Sequence, residues 1–113
     1  MAELIIAERN MDGVVVLDLT GDITFGQGTE KLRNEIRYLL AEGKNRIWLN
    51  LENVCYVDSS GIGELISGLT AVSRHGDGQL KLLNPPDRLI KLLEISNLLG
   101  IFDIYYEKKI SAI

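Results

Sequence analysis

The stretch "VCYVDSSGIGELI", residues 54–66, joins two apolar segments through the polar junction Asp58-Ser59-Ser60-Gly61. The segment before it includes "RIWLNL" at 46–51, which predicts a strand that extends to near Val57. After the junction, apolar residues recur at helical spacing: Ile62, Leu65, Ile66, Leu69 and Val72. The junction is therefore predicted to be the place where a strand passes directly into a helix that begins around Ser60.

The rest of the chain alternates between predicted strands and predicted helices. "ELIIAER" and "VVVLDLTG" flank the turn signal at 10–13 and predict a hairpin. Residues 30–42 predict an amphipathic helix with Gly43 as its C-cap. A fourth strand at "QLKLLN", a helix that starts at Pro85-Pro86 and a fifth strand at "FDIYYE" complete the order. Helices of about 10 to 15 residues between strands favour parallel pairing. We therefore expect one α/β domain over residues 1–113, with helices packed on a mixed sheet of four to five strands.

Composition excludes several classes of protein. The net charge is −4 and the pI is near 4.9, so no basic footprint predicts a nucleic-acid partner. No apolar run approaches the roughly 20 residues that cross a bilayer, and no signal peptide opens the chain. A single cysteine cannot form an intrachain disulfide. We expect a cytoplasmic protein that neither binds a membrane nor contains a transmembrane segment.

The hydroxyl-rich junction has two possible explanations. Asp and Ser are preferred helix N-caps, because their oxygens accept bonds from N–H groups that lack partners within the helix. A helix N-terminus also favours anions, including a phosphate carried by a serine. Glycines inside the predicted helix cost about 1 kcal/mol each relative to alanine. For Gly68 the expected reason is close packing, whereas Gly61 and Gly63 beside the hydroxyls suggest access by another protein.

Catalytic chemistry is poorly supported. A serine hydrolase needs a histidine base, and the one histidine, His75, lies about 14 residues or roughly 20 Å beyond Ser60 on the same predicted helix. One His and one Cys supply no usual zinc site, and no phosphate-binding glycine loop is present. We therefore predict no catalytic residue, no metal and no cofactor. His75 is expected to be structural, Cys55 to be a buried small hydrophobe, and Trp48 to belong to the core.

The chain resembles the STAS domain family, and within it the bacterial anti-sigma factor antagonists. The matching segments are "LTGDI" at 19–23, "IWLNLENVCYVDSSGIGELI" at 47–66 and "LLEISNLLGIFDIY" at 92–105. The resemblance implies that Ser59 is phosphorylated by a partner anti-sigma factor that is itself a serine kinase. The unphosphorylated form would bind that kinase and free a sigma factor, and the phosphorylated form would dissociate. A serine phosphatase would be a further partner.

We also predict a partner-binding surface, made of Asp22, Thr24, Asp58, Ser59, Ser60, Gly61 and Gly63. Small residues at the exposed start of the second predicted helix leave its backbone accessible, and the resemblance implies that the strand end with Asp22 lies near Asp58. Residues 24–29, "TFGQGT", depart from the family pattern: they are richer in glycine and about one residue longer. The alternative function is a STAS scaffold or sensor-associated module, in which Ser59 or Ser60 is modified but the partner is another scaffold protein. A small enzyme or nucleotide-binding protein is the least favoured hypothesis.

Overall fold

The computed structural model describes residues 2–107 and forms a five-stranded sheet with helices between the parallel strands. The strands are β1 (Ile5–Met11), β2 (Val14–Ile23), β3 (Arg46–Val57), β4 (Gln79–Leu83) and β5 (Asp103–Tyr105). The helices are α1 (Gln27–Ala41), α2 (Ser59–Ser73) and α3 (Asp87–Ile95), followed by a short 3-10 turn at Leu99–Ile101. Strand order follows the sequence, β1 being antiparallel to β2 and the remaining pairs parallel. The predicted α/β class and mixed sheet are confirmed.

The boundaries of the elements have local causes. Asp12 and Gly13 both have positive φ, 49° and 82°, which is typical of a two-residue hairpin turn tighter than the predicted one. Gly43 follows α1 with φ 79°, and the Lys44 N–H donates to Leu39 O at 2.9 Å, closing the helix as a Schellman motif. β5 covers the three residues Asp103–Tyr105 and is shorter than the predicted strand at 102–107.

All three helices contribute side chains to one apolar core, which lies on one face of the sheet. Because side chains alternate along a strand, Ile47 and Leu49 point into this core and Trp48 points away from it. The prediction that Trp48 belongs to the core with Ile47 and Leu49 is therefore corrected. Trp48 is half-buried against a small second cluster of Val14, Val16 and Leu83, with the Lys81 Nζ atom 5.5 Å from its ring centroid.

The parallel pairing of β2 with β3 positions the polar junction. Its register places Asp22 opposite Tyr56 and Ile23 opposite Val57, so both strands end at the same edge of the sheet. The loop that leads from β2 into α1 therefore lies beside the start of α2. Residues distant in sequence meet there, and this edge carries the candidate site.

Candidate phosphorylation and partner-binding site

Asp58 is the N-cap of α2 and also holds the neighbouring loop. Its Oδ1 atom accepts a hydrogen bond from the Gly61 N–H at 2.8 Å, and its Oδ2 atom accepts one from the Phe25 N–H at 3.0 Å. These bonds, the one from Phe25 first, hold the pKa of the Asp58 carboxyl below its ordinary value, because they stabilise the charged form. Asp58 is thus an ionised link between the helix start and the loop after β2.

The two hydroxyls occupy different positions on the first turn of α2. Ser59 is the first residue of the helix and is exposed, so its hydroxyl is accessible to a modifying enzyme. Ser60 is partly exposed and lines a hollow of about 430 Å³. The other residues that line this hollow are Phe25, Gly26, Thr29, Glu30, Arg33 and Glu64. The cap is supplied by Asp58, which leaves the Ser59 side chain directed to the outer surface.

The glycines of α2 fulfil different needs. A Cβ atom on Gly61 would collide with the backbone carbonyl oxygen of Ile23, so Gly61 is required for close packing and not for access. A Cβ atom on Gly63 would meet open space, as expected for a position that another protein can approach. At Gly68 it would lie 3.0 Å from Ile36 Cδ1, which confirms the packing prediction. The expectation for Gly61 is therefore corrected.

Asp22 and Thr24 lie beneath the surface. Asp22 is 5% exposed and Thr24 is 8% exposed. The Asp22 Oδ2 atom accepts a hydrogen bond from the Ala2 N–H at 2.8 Å, and the Thr24 carbonyl accepts one from the Thr29 N–H at 3.1 Å. Both residues therefore shape the loop beside Asp58 and offer little area of their own.

Sequence reasoning missed two features of this edge. Phe25 is 81% exposed, and only its position in a glycine-containing loop could have indicated that no core would cover it. Glu64 is buried and forms an ion pair with Arg33 of α1, with 2.7 Å between Arg33 Nη2 and Glu64 Oε1. A carboxylate beside the apolar stripe of α2 was the signal for that pair, which joins the two helices behind the hollow.

The structure tests the predictions made for Cys55 and His75. Cys55 is exposed, so its predicted burial is wrong: Val54 is the residue of that pair that points into the core. His75 is exposed at the end of α2, and its Nδ1 atom lies 2.9 Å from the Ala71 carbonyl oxygen, as expected for a structural role at a helix C-terminus.

Within residues 2–107, no cluster of His, Cys, Asp and Glu side chains is arranged to hold a metal ion. Over the same residues, each helix is too short or too polar to span a membrane.

The chain is similar to proteins that regulate anti-sigma factors. It is 40% identical over 57 residues to an anti-sigma-B factor antagonist of Staphylococcus aureus, and the alignment covers 50% of this chain and 52% of that relative. The chain thus spans about half the length of the curated relatives it matches.

Solved structures of other proteins share the fold. A candidate anti-sigma factor antagonist of Thermotoga maritima superposes with a TM-score of 0.75 at 26% identity, covering 94% of this chain and 88% of that one. The Bacillus cell fate determinant SpoIIAA in its phosphorylated form gives a TM-score of 0.72 at 23% identity, covering 93% of each chain. The sequence profile of the STAS domain matches residues 6–109. The chain therefore belongs to the STAS domain family.

Proposed function

We propose that this chain is an anti-sigma factor antagonist that binds an anti-sigma factor serine kinase and is released when Ser59 is phosphorylated. The observation that carries the proposal is the exposed Ser59 hydroxyl on the first turn of α2, next to the capping carboxylate of Asp58. The name of the Staphylococcus aureus relative and the fold shared with a phosphorylated SpoIIAA support it. Binding of the kinase would free a sigma factor for transcription.

The residues of the proposed partner-binding surface fall into two groups, those exposed enough to contact the partner and those buried beneath them. Asp58, Ser59, Ser60 and Gly63 are the proposed contacts, because the serines are exposed or partly exposed and Gly63 faces open space. Asp22, Thr24 and Gly61 belong to the same site but are buried, so they support the surface from below.

Phosphate on Ser59 would switch binding off by repulsion and occlusion. A phosphoserine adds about 1.5 to 2 negative charges at neutral pH. These charges would stand beside the ionised Asp58, and like charges brought against a partner carboxylate can cost several kcal/mol. The helix N-terminus tolerates the added anion, so local stability would change little or rise. The switch would act on the surface and leave the fold intact.

The chain's own role in this cycle is that of a binding protein, not an enzyme. The kinase transfers the γ-phosphoryl group of ATP to the Ser59 hydroxyl and releases ADP. A serine phosphatase restores the hydroxyl by hydrolysis and releases inorganic phosphate, and the antagonist needs no cofactor. The setting for these steps is the cytoplasm, where the sigma factor acts.

The test compares three variants, each incubated with the cognate kinase and ATP and then mapped by mass spectrometry. Ser59→Ala should bind the kinase and accept no phosphate, Ser59→Asp should bind weakly, and Ser60→Ala should still be phosphorylated. Phosphate on Ser60 of the Ser59→Ala protein at the wild-type rate would overturn the assignment of Ser59. A bound partner without kinase activity would instead favour the scaffold function.

A further inference from the structure

We propose that Phe25 is the aromatic anchor by which the kinase is captured, its ring entering an apolar pocket beside the cleft that receives Ser59. The inference rests on the proposed function and deepens it, because neither composition nor family resemblance singles out Phe25. The first observation is exposure. Phe25 is 81% exposed, whereas the other phenylalanine, Phe102, is 7% exposed within the core. Ile95 is equally exposed, but Phe25 is aromatic and stands beside the capping residue of α2, and aromatic residues including phenylalanine are enriched at the cores of protein–protein interfaces.

The loop presents this ring on a fixed backbone. The Phe25 N–H is held by Asp58 Oδ2 at 3.0 Å. On either side, the Thr24 carbonyl accepts the Thr29 N–H at 3.1 Å and the Gly26 carbonyl accepts the Glu30 N–H at 3.0 Å. Gly26 has φ 102°, a conformation that favours glycine. Because the backbone is already ordered, little backbone conformational entropy remains to be lost when the ring is bound.

The location of Phe25 indicates which protein would bind its ring. The Phe25 N–H is bonded to Asp58, the residue before Ser59, so a kinase that brings its active site to Ser59 approaches the ring as well. The hollow does not offer a free cation, because the Arg33 guanidinium is paired with Glu64 at 2.7 Å and Glu30 adds another carboxylate. Among the residues that line the hollow, the large apolar side chain is Phe25, and an apolar pocket on the kinase is its complement.

Titration calorimetry with the cognate kinase tests the anchor. Phe25→Ala should bind about thirtyfold more weakly, the loss typical of a hot-spot residue. In phosphorylation assays the same variant should show a raised KM for the protein substrate and an unchanged kcat, because the Ser59 hydroxyl is untouched. Tyr38→Ala is the matched control: this aromatic is 58% exposed near the far end of α1, roughly 17 Å along the helix axis from its start, and its loss should change affinity less than twofold.

The outcomes separate this inference from the proposed function. Circular dichroism and urea unfolding should be unchanged in Phe25→Ala, since the ring packs against no core. Wild-type affinity in Phe25→Ala, with binding lost in a Gly63→Trp variant, would overturn the anchor and leave the proposed function standing. Unchanged kinase affinity together with altered self-association in sedimentation would assign the ring to a second copy of this chain, and would also overturn it. Failure of the wild-type chain to bind the kinase would overturn both proposals.

Discussion

The Asp58 carboxylate makes two contacts that serve different parts of the site. One oxygen completes the first turn of α2 through Gly61, and the other fixes the Phe25 amide across a separation of 33 residues. A single side chain therefore determines both where the helix begins and how the neighbouring loop is presented. Ser59 then needs no structural role, which leaves its hydroxyl available for modification.

Replacing this cap should lower stability in a pH-dependent way. Asp58→Ala is expected to reduce the free energy of unfolding by about 1 kcal/mol at pH 7, the usual loss for an N-cap. The folded-state pKa of Asp58 lies below its unfolded value, so the stabilisation is present above the unfolded pKa of about 3.9 and is lost as the pH falls through the folded pKa. Urea unfolding of both proteins between pH 7 and pH 2 measures the difference, which should shrink in acid.

Asp58→Asn is the control for that measurement. Asparagine keeps one acceptor oxygen for the Gly61 N–H and removes the charge, so its loss at neutral pH should be smaller than that of alanine. A stability difference between wild type and Asp58→Ala that stays constant across the whole pH range would contradict the assigned role of the charge.

Helix α2 contains a closely packed glycine, Gly61, and an exposed glycine, Gly63. Substitution by alanine should change the stability of the protein in opposite directions at these two positions. Gly61→Ala places a methyl group against the Ile23 carbonyl and should destabilise the protein by about 2 kcal/mol. Gly63→Ala meets no neighbour and should stabilise it by about 1 kcal/mol through helix propensity. Urea midpoints for the two variants check this, and equal effects of the same sign would refute the distinction.

A bulky residue at the open glycine tests the surface of the same helix. Gly63→Trp should weaken capture of the kinase, because the new ring would occupy the space through which the partner approaches. Circular dichroism should show an intact fold, and calorimetric titration gives the affinity. Affinity equal to that of the wild type would remove Gly63 from the proposed contacts.

Trp48 and the candidate site lie in different parts of the molecule. Trp48 lies on the sheet face away from the helices, whereas the site lies at the edge where β2 and β3 end. Kinase binding should therefore leave Trp48 fluorescence nearly unchanged. Denaturant should shift the emission to the red in the same transition that circular dichroism reports, because one core unites all the helices. A large shift on adding a kinase that lacks tryptophan would contradict this.

Local sequence patterns are sufficient to predict the order of strands and helices, the hairpin, the direct passage from β3 into α2 and the capping role of the junction. Each depends on contacts within a few residues or on apolar periodicity, which a linear sequence displays directly. Periodicity reports which side chains are apolar, but it does not report which face of the sheet the helices cover. Trp48 and Cys55 were misassigned for that reason.

The remaining features arise from contacts between segments far apart in the chain. Gly61 is required because the end of β2 passes against the start of α2, and Asp22 is buried because residue 2 is hydrogen-bonded to it. Phe25 is exposed in a loop whose backbone is held by Asp58, and none of the helices described within residues 2–107 covers its ring. The positions of Gly61 and Phe25 follow from the parallel register of β2 and β3, and that of Asp22 from the segment that precedes β1. A register is set by the packing of the whole sheet rather than by either strand alone.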